Sequence, residues 1–173
     1  MLLSVLVVSR TASLLNEMVK SISNATKIEP EDLEILCSWN GYESEIKHIS
    51  SNSFYKINIA QREKYNFARN INSLARKSKG ALILIINDDV ILDYNSIDNA
   101  IKCLKENKNS GLIGSRLRDK KNGIKHAGIL FNLFNSPYHR LEGLVNAEHI
   151  IINQQNEKIS AVTGALMLIP KDV

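Results

Sequence analysis

The 173 residues contain only two cysteines, Cys37 and Cys103, and neither has a partner at a metal-type spacing. This excludes a disulfide-stapled scaffold and a zinc ribbon, and both thiols read as buried and reduced inside regular elements. Histidine is also sparse: His48, His126, His139 and His149 are too dispersed along the chain to signal a zinc site. Aromatic residues make up 6% of the chain and nowhere interleave with the scattered lysines and arginines. Nucleic acid is therefore not expected as a partner; the net charge of +4 instead suits anionic small molecules or an acidic membrane surface. There are three prolines, and no linker, repeat or low-complexity tract divides the chain, so residues 1–173 read as one domain. No glycine-rich phosphate loop follows the first apolar segment, which argues against a nucleotidyltransferase-like phosphate enzyme on a doubly wound sheet. The apolar start, MLLSVLVVSR, has no basic leader region and no cleavage site, and it is too short to span a bilayer. It reads as a first strand, and the protein as cytoplasmic.

What the chain does have is an alternation of strands and helices. Ser4 to Val8 reads as a strand. The helix after it, capped by Thr11 or Ser13, places Leu14, Leu15, Met18, Val19 and Ile22 on one face. Leu33 to Cys37 is a second strand closed by the turn signal Asn40-Gly41, and Tyr55 to Ile59 is a third. A helix over about Arg62 to Lys79 repeats apolar residues at Phe67, Ile71, Leu74 and Ala75, and Gly80 stands where it would end. Ala81 to Ile86 is a fourth strand, followed by a helix from Ser96 to about Asn107 and a strand from Gly111 to Ser115. Beyond a turn at Lys120 to Gly123, Gly128 to Asn132 is a strand candidate, and polar loop runs to about Lys158. Ile159 to Pro170 closes with a strand reached through Thr163-Gly164. The expected fold is α/β, a Rossmann-like, mainly parallel sheet flanked by helices with right-handed crossovers.

The segment richest in chemistry is ALILIINDDVILD, from Ala81 to Asp93. Its uninterrupted apolar run suits a strand covered on both faces, where carboxylates would be costly, so Asn87, Asp88 and Asp89 belong just past its C-terminal end. Ligands of open α/β sheets bind at that edge, and two acids with an amide can hold a divalent cation that in turn holds phosphate. A receiver-like signalling domain would also place acids at strand ends, but it would want a pair after the first strand, where this chain has Ser9-Arg10.

In order and spacing, VLVVSRTASLL, EILCSWNG, YNFARNINSLARKSKG, IINDDV, GIKHAGILF, YHRLEG and SAVTGALMLIPKDV resemble family 2 glycosyltransferases of the GT-A fold. The resemblance covers nearly the whole chain. It implies metal-dependent, inverting transfer of a sugar from a nucleotide-diphosphate sugar donor to a carbohydrate or glycoconjugate acceptor hydroxyl, with polysaccharide assembly as the family setting. It is compatible with peripheral association at a membrane. Asp89, with Asp88, matches the ligands of Mg²⁺ or Mn²⁺, and Asn87 stands where the family has Asp, keeping an oxygen but losing a charge. Ser9, Arg10, Asn66, Asn72, Asn87 and Asp88 match positions bordering the donor, and Thr163 and Gly164 line the acceptor side. Trp39 occupies the place of the Asp that accepts a hydrogen bond from the uracil imide; it could stack on a base but cannot accept that bond. Arg116, Arg118, His139 and Arg140 are candidates to neutralise diphosphate charge. The family's general base lies downstream of the strand matching Ala165 to Ile169, so the resemblance implies a domain lacking its C-terminal part, and no residue here is assigned that role. His126 and His139 are read as structural rather than as substitutes. A non-catalytic nucleotide- or sugar-binding module of the same fold is the competing reading.

Overall fold

The computed structural model describes residues 1–49, 54–107, 109–151 and 156–173. Its frame is a six-stranded sheet. The first half of the chain supplies β1 (Leu3–Ser9), α1 (Ala12–Ala25), β2 (Leu33–Trp39), β3 (Ile57–Ile59), α2 (Phe67–Lys77), β4 (Leu82–Ile86) and α3 (Ser96–Glu106). The second half supplies five short strands, β5 (Ile113–Gly114), β6 (Leu117–Arg118), β7 (Ile124–His126), β8 (Ile129–Phe131) and β9 (Pro137–His139), and then β10 (Leu166–Pro170). Strand order across the sheet is β3-β2-β1-β4-β10-β5. β1, β2, β3 and β4 run parallel, and β10 lies antiparallel between β4 and β5. The expected mainly parallel α/β architecture is present. Among the described residues no helix is long and apolar enough to cross a membrane.

Both faces of the sheet are covered, which explains the near-continuous apolar strands. Val5, Val7, Leu84 and Ile86 point toward Leu15, Met18 and Ile22 of α1 and Ile97 and Ile101 of α3. The alternate residues Leu6, Ile83 and Ile85 meet Ile71 and Leu74 of α2 on the other side. At the N-terminal edge, Ser4 Oγ donates to Glu34 Oε1 (2.6 Å), as does the Lys79 N–H (2.6 Å), while the Gly80 N–H donates to Ser4 Oγ (2.8 Å). This network satisfies a buried carboxylate and ties β1, β2 and the approach to β4 together.

Several expectations need correction. The helix expected over Arg62 to Lys79 is shorter, because Asn66 is extended and its side chain accepts the Arg69 N–H, starting α2 at Phe67. Gly80 does not cap that helix; Ser78 does, and Gly80 is needed because a Cβ there would lie 2.5 Å from Ser4 N. Leu14 does not join the buried face of α1 but is 41% exposed. Thr11 occupies the cap position of α1 without a side-chain capping bond. Cys103 is only partly buried. The expected loop to Lys158 contains β9, which pairs antiparallel with β8, and the last strand begins at Leu166 rather than Ile159.

Candidate functional site

Strand order places β2 and β3 on one side of β1 and β4 on the other, so the topology switches direction between β1 and β4. A crevice outside the carboxyl ends of the strands at such a point is where open α/β sheets bind ligands. The register pairs Leu6 of β1 with Ile85 of β4, which carries Ser9 level with Asp88 three residues on. There Ser9 Oγ donates to Asp88 Oδ2 at 2.7 Å, and the Thr11 N–H donates to Ser9 Oγ at 3.3 Å. Ser9 is buried, so this bond holds the Asp88 carboxylate across the switch point. Asp89, next in the same tight turn, is exposed, and Asn87 is fixed by its backbone: its N–H donates to Ala165 O (2.9 Å) and its carbonyl accepts the Val90 N–H (3.3 Å).

The parallel strands place the N-terminus of α2 at this same edge. Asn70 is fully buried there: its Nδ2 donates to Ser38 Oγ (3.0 Å) and its Oδ1 accepts the Asn66 N–H (2.7 Å). Asn40 Nδ2 in turn donates to the Ser38 carbonyl at 3.2 Å. Asn66 thus serves as helix cap, with its side chain committed to Arg69. Asn72 is exposed, and helical geometry turns it away from the buried face formed by Asn70, Ile71, Ser73 and Leu74. Sequence reasoning missed Asn70. The signal was present, since position 70 falls beside Phe67, Ile71 and Leu74 on the apolar stripe, where an amide needs an explanation. Asn70→Ala strands the Asn66 N–H and opens a void; a loss of about 2 kcal/mol is expected in urea unfolding, with a weakened edge around Ser38.

Trp39 does not offer a ring face to a ligand. It is 1% exposed and packs in the main core, and its Nε1 donates to Tyr42 O (3.2 Å). Arg10 is exposed, with its carbonyl packed against Gly41: a Cβ on that glycine would sit 2.3 Å from Arg10 O. The Asn40-Gly41 turn is therefore set by close approach of the loop after β1, and the Asn40 N–H donates to Ser9 O (2.7 Å).

Because β10 is antiparallel, its entry rather than its exit lies at the site edge. Thr163 and Gly164 precede it, and the Ala165 N–H donates to Thr163 Oγ1 (3.3 Å). The Thr163 N–H donates to Nε2 of His126, whose Nδ1 lies 2.8 Å from His139 Nδ1. Burial holds His126 below the ordinary histidine value; a charge on His139 pushes the same way, and Glu142 opposes it. Both ring nitrogens of His126 are occupied, so it has no lone pair free to act as a base. Of the other cationic candidates, Arg118 pairs with Asp93 (2.5 Å) and Arg140 with Glu157, while Arg116 is exposed.

Among the described residues, no three His, Cys, Asp or Glu side chains converge as a metal cage. The oxygen set Asn87, Asp88 and Asp89 fits a cation that takes one or two protein carboxylates and completes its shell with phosphate and water, as Mg²⁺ does. Burial, reinforced by the Asp88 charge, pushes the neighbouring Cys37 thiol up to about 12. If Ser9 holds Asp88 for this purpose, Ser9→Ala should weaken Mn²⁺ affinity about 10- to 100-fold, read by Mn²⁺ titration with UDP present.

The fold alone is shared widely. The chain superposes on GalNAc-T7 solved with UDP, GalNAc and Mn²⁺, with a TM-score of 0.64 and 13% identity over 99% of this chain and 35% of that one. The mannosyltransferase PcManGT of Pyrobaculum calidifontis, solved with GDP-Man and Mn²⁺, gives 0.57 and 15% identity over 69% of this chain and 36% of that one. A 4-diphosphocytidyl-2C-methyl-D-erythritol synthase of Anaerococcus prevotii gives 0.56 and 10% identity, covering 99% and 72%. At such identities these likenesses establish the GT-A type of fold and no activity. This chain spans little more than a third of the first two neighbours, and no curated protein sequence matches it. The sequence profile of Glycosyl transferase family 2, by contrast, runs from the first strand to the last over residues 4–172, and the chain belongs to that family.

Proposed function

We propose that this domain binds a nucleotide-diphosphate sugar through a divalent cation at Asp88 and Asp89, and transfers the sugar to an acceptor hydroxyl with inversion. The observation that carries this reading is the pairing of Ser9 with Asp88 across the switch point, which leaves Asp89 exposed beside it. A departing diphosphate gathers negative charge, which a bound Mg²⁺ or Mn²⁺ neutralises. The chain's own part is to preorganise: Ser9 fixes one carboxylate, the turn at Asn87 presents the other, and Asn70, Ser38 and Asn40 brace the edge beside them. Thr163 and Gly164 bound the side from which an acceptor would approach. The two neighbours solved with a nucleotide or nucleotide sugar and Mn²⁺ support the choice of ligand class. In this reading the acceptor is a carbohydrate or glycoconjugate hydroxyl, met in the cytoplasm at the inner face of a membrane.

A second reading is a non-catalytic nucleotide- or sugar-binding module: Trp39 is buried where the family has a base-reading carboxylate, and no residue is assigned as general base. Calorimetry with UDP, GDP and CDP, each with Mn²⁺, Mg²⁺ or chelator, tests the shared part: binding only with metal is expected, and metal-independent or absent binding refutes it. Release of free nucleotide from UDP- or GDP-sugars in the presence of glycan acceptors then separates transfer from binding.

A further inference from the structure

The two histidines that sequence spacing keeps apart are brought into contact by the strands following the sheet. His126 ends β7 and His139 ends β9; their Nδ1 atoms are 2.8 Å apart, and the far nitrogen of His126 meets the Thr163 N–H at 3.2 Å. A backbone N–H only donates, so His126 Nε2 must present its lone pair, and the neutral ring carries its hydrogen on Nδ1. That hydrogen points at His139 Nδ1, which must accept it, so His139 carries its own hydrogen on Nε2. One arrangement satisfies all three groups, and it needs both rings neutral. A second proton on His126 would set an N–H against the Thr163 N–H. One on His139 would set two N–H groups face to face, or force His126 into the tautomer that releases Thr163.

The segment held this way is continuous with the site. Ile129 of β8 donates its N–H to Ala161 O (2.8 Å), and Asn87 donates its N–H to Ala165 O (2.9 Å). Residues 161 to 165 therefore span from β8 to the acidic turn, with the Thr163 N–H fixed midway. We propose that His126 is a positioning residue for the acceptor wall of the site, holding the 163–165 segment against Asn87 only while the His126–His139 pair is uncharged. Describing that segment as an acceptor wall rests on the donor-binding reading above; the coupling of the histidines to Thr163 does not.

Other charges around the pair are already engaged or oppose the effect. On β7 itself, Lys125 pairs with Asp119 at 3.5 Å; beyond β9, Arg140 pairs with Glu157, while Glu142 favours a charged ring. The segment 161–165 carries no titratable side chain. Burial dominates, and His126 is 2% exposed. The unfolded chain takes up its proton near the ordinary value of 6.5 and the folded chain only at lower pH. Stability from this site is therefore complete above 6.5 and declines as pH falls through the window below it.

The test is nitrogen-15 NMR on the intact chain between pH 8 and 5, reading imidazole tautomers and the exchange protection factor of the Thr163 amide. Expected at the upper end are the Nδ1–H form of His126, the Nε2–H form of His139 and a protected Thr163 amide. Acidification should lower the protection about fivefold, the effect of losing one ordinary hydrogen bond. His139→Ala, at an exposed position, should lower it by about as much at pH 8, whereas His126→Gln, an uncharged acceptor, should keep it constant across the range. The Nε2–H form of His126, or protection that neither pH nor His139→Ala changes, overturns the proposal. UDP–Mn²⁺ affinity measured alongside should fall more steeply on acidification in the native chain than in His126→Gln, where only the nucleotide phosphate itself takes up a proton. If UDP–Mn²⁺ fails to bind at every pH while the amide responds as described, the donor-site reading falls and the histidine–Thr163 coupling stands.

Discussion

Replacing Asp89 with alanine is expected to weaken Mn²⁺-dependent binding of a nucleoside diphosphate by at least about 100-fold, since even an outer partner of a metal ligand is worth about 10- to 100-fold. The unfolding midpoint should stay in place, because Asp89 is exposed and, among the described residues, makes no hydrogen bond or ion pair. Asp88 differs: its carboxylate accepts from the buried Ser9 hydroxyl and sits beside a thiol whose ionisation it opposes. Asp88→Asn keeps an acceptor for Ser9 and removes the charge, so it should lower metal affinity while retaining the turn. Calorimetry of UDP with Mn²⁺, paired with urea unfolding, separates the two residues. Unchanged affinity in Asp89→Ala would remove this residue from the site and, with it, the metal-bridged reading of the acidic turn.

Trp39→Ala should be among the most damaging single changes to stability, at about 3–5 kcal/mol, a large share of the roughly 5–15 kcal/mol by which domains are stable. The ring is enclosed at the end of β2, Gly41 packs against it, and its removal also leaves the Tyr42 carbonyl without the indole donor. Trp39→Phe keeps most of the buried surface and should cost much less. The sequence allowed a ring stacked on a nucleobase; the structure gives it a core role, and the two make opposite predictions. A denaturation midpoint that holds in Trp39→Ala while nucleotide affinity falls would return the ring to the donor site.

What could be read from residues alone follows physical range. Strand identity and the acidic turn were legible because both are local: an apolar run followed at once by two acids has few places to sit in a sheet. The ends of α2 were less so, since the start depends on one side chain of Asn66 and the Gly80 position on a close approach to Ser4, 76 residues away. The partner of Asp88 is 79 residues distant, and no spacing rule links it to Ser9. Asn70 was hidden by its own neighbours, because Asn66 and Asn72 are equally amide-bearing and only the helical phase singles out the buried one. Of the short strands β6 to β9 only β8 was legible, within Gly128 to Asn132; the others exist through antiparallel pairing, and so the meeting of His126 with His139 could not be seen in the sequence.

The place of β10 has a consequence for how the polypeptide emerges from the ribosome. β4 has one flank on β1, but its other flank and, among the described residues, the sheet partner of β5 are supplied by residues 166–170. Until those residues are synthesised, a nascent chain that has already assembled β1 to β4 carries a bare apolar border, the kind of edge that recruits other strands. Translation pauses or truncations between about residues 115 and 165 would therefore yield sticky intermediates rather than inert fragments, and the arrival of β10 is the step that covers this border of β4.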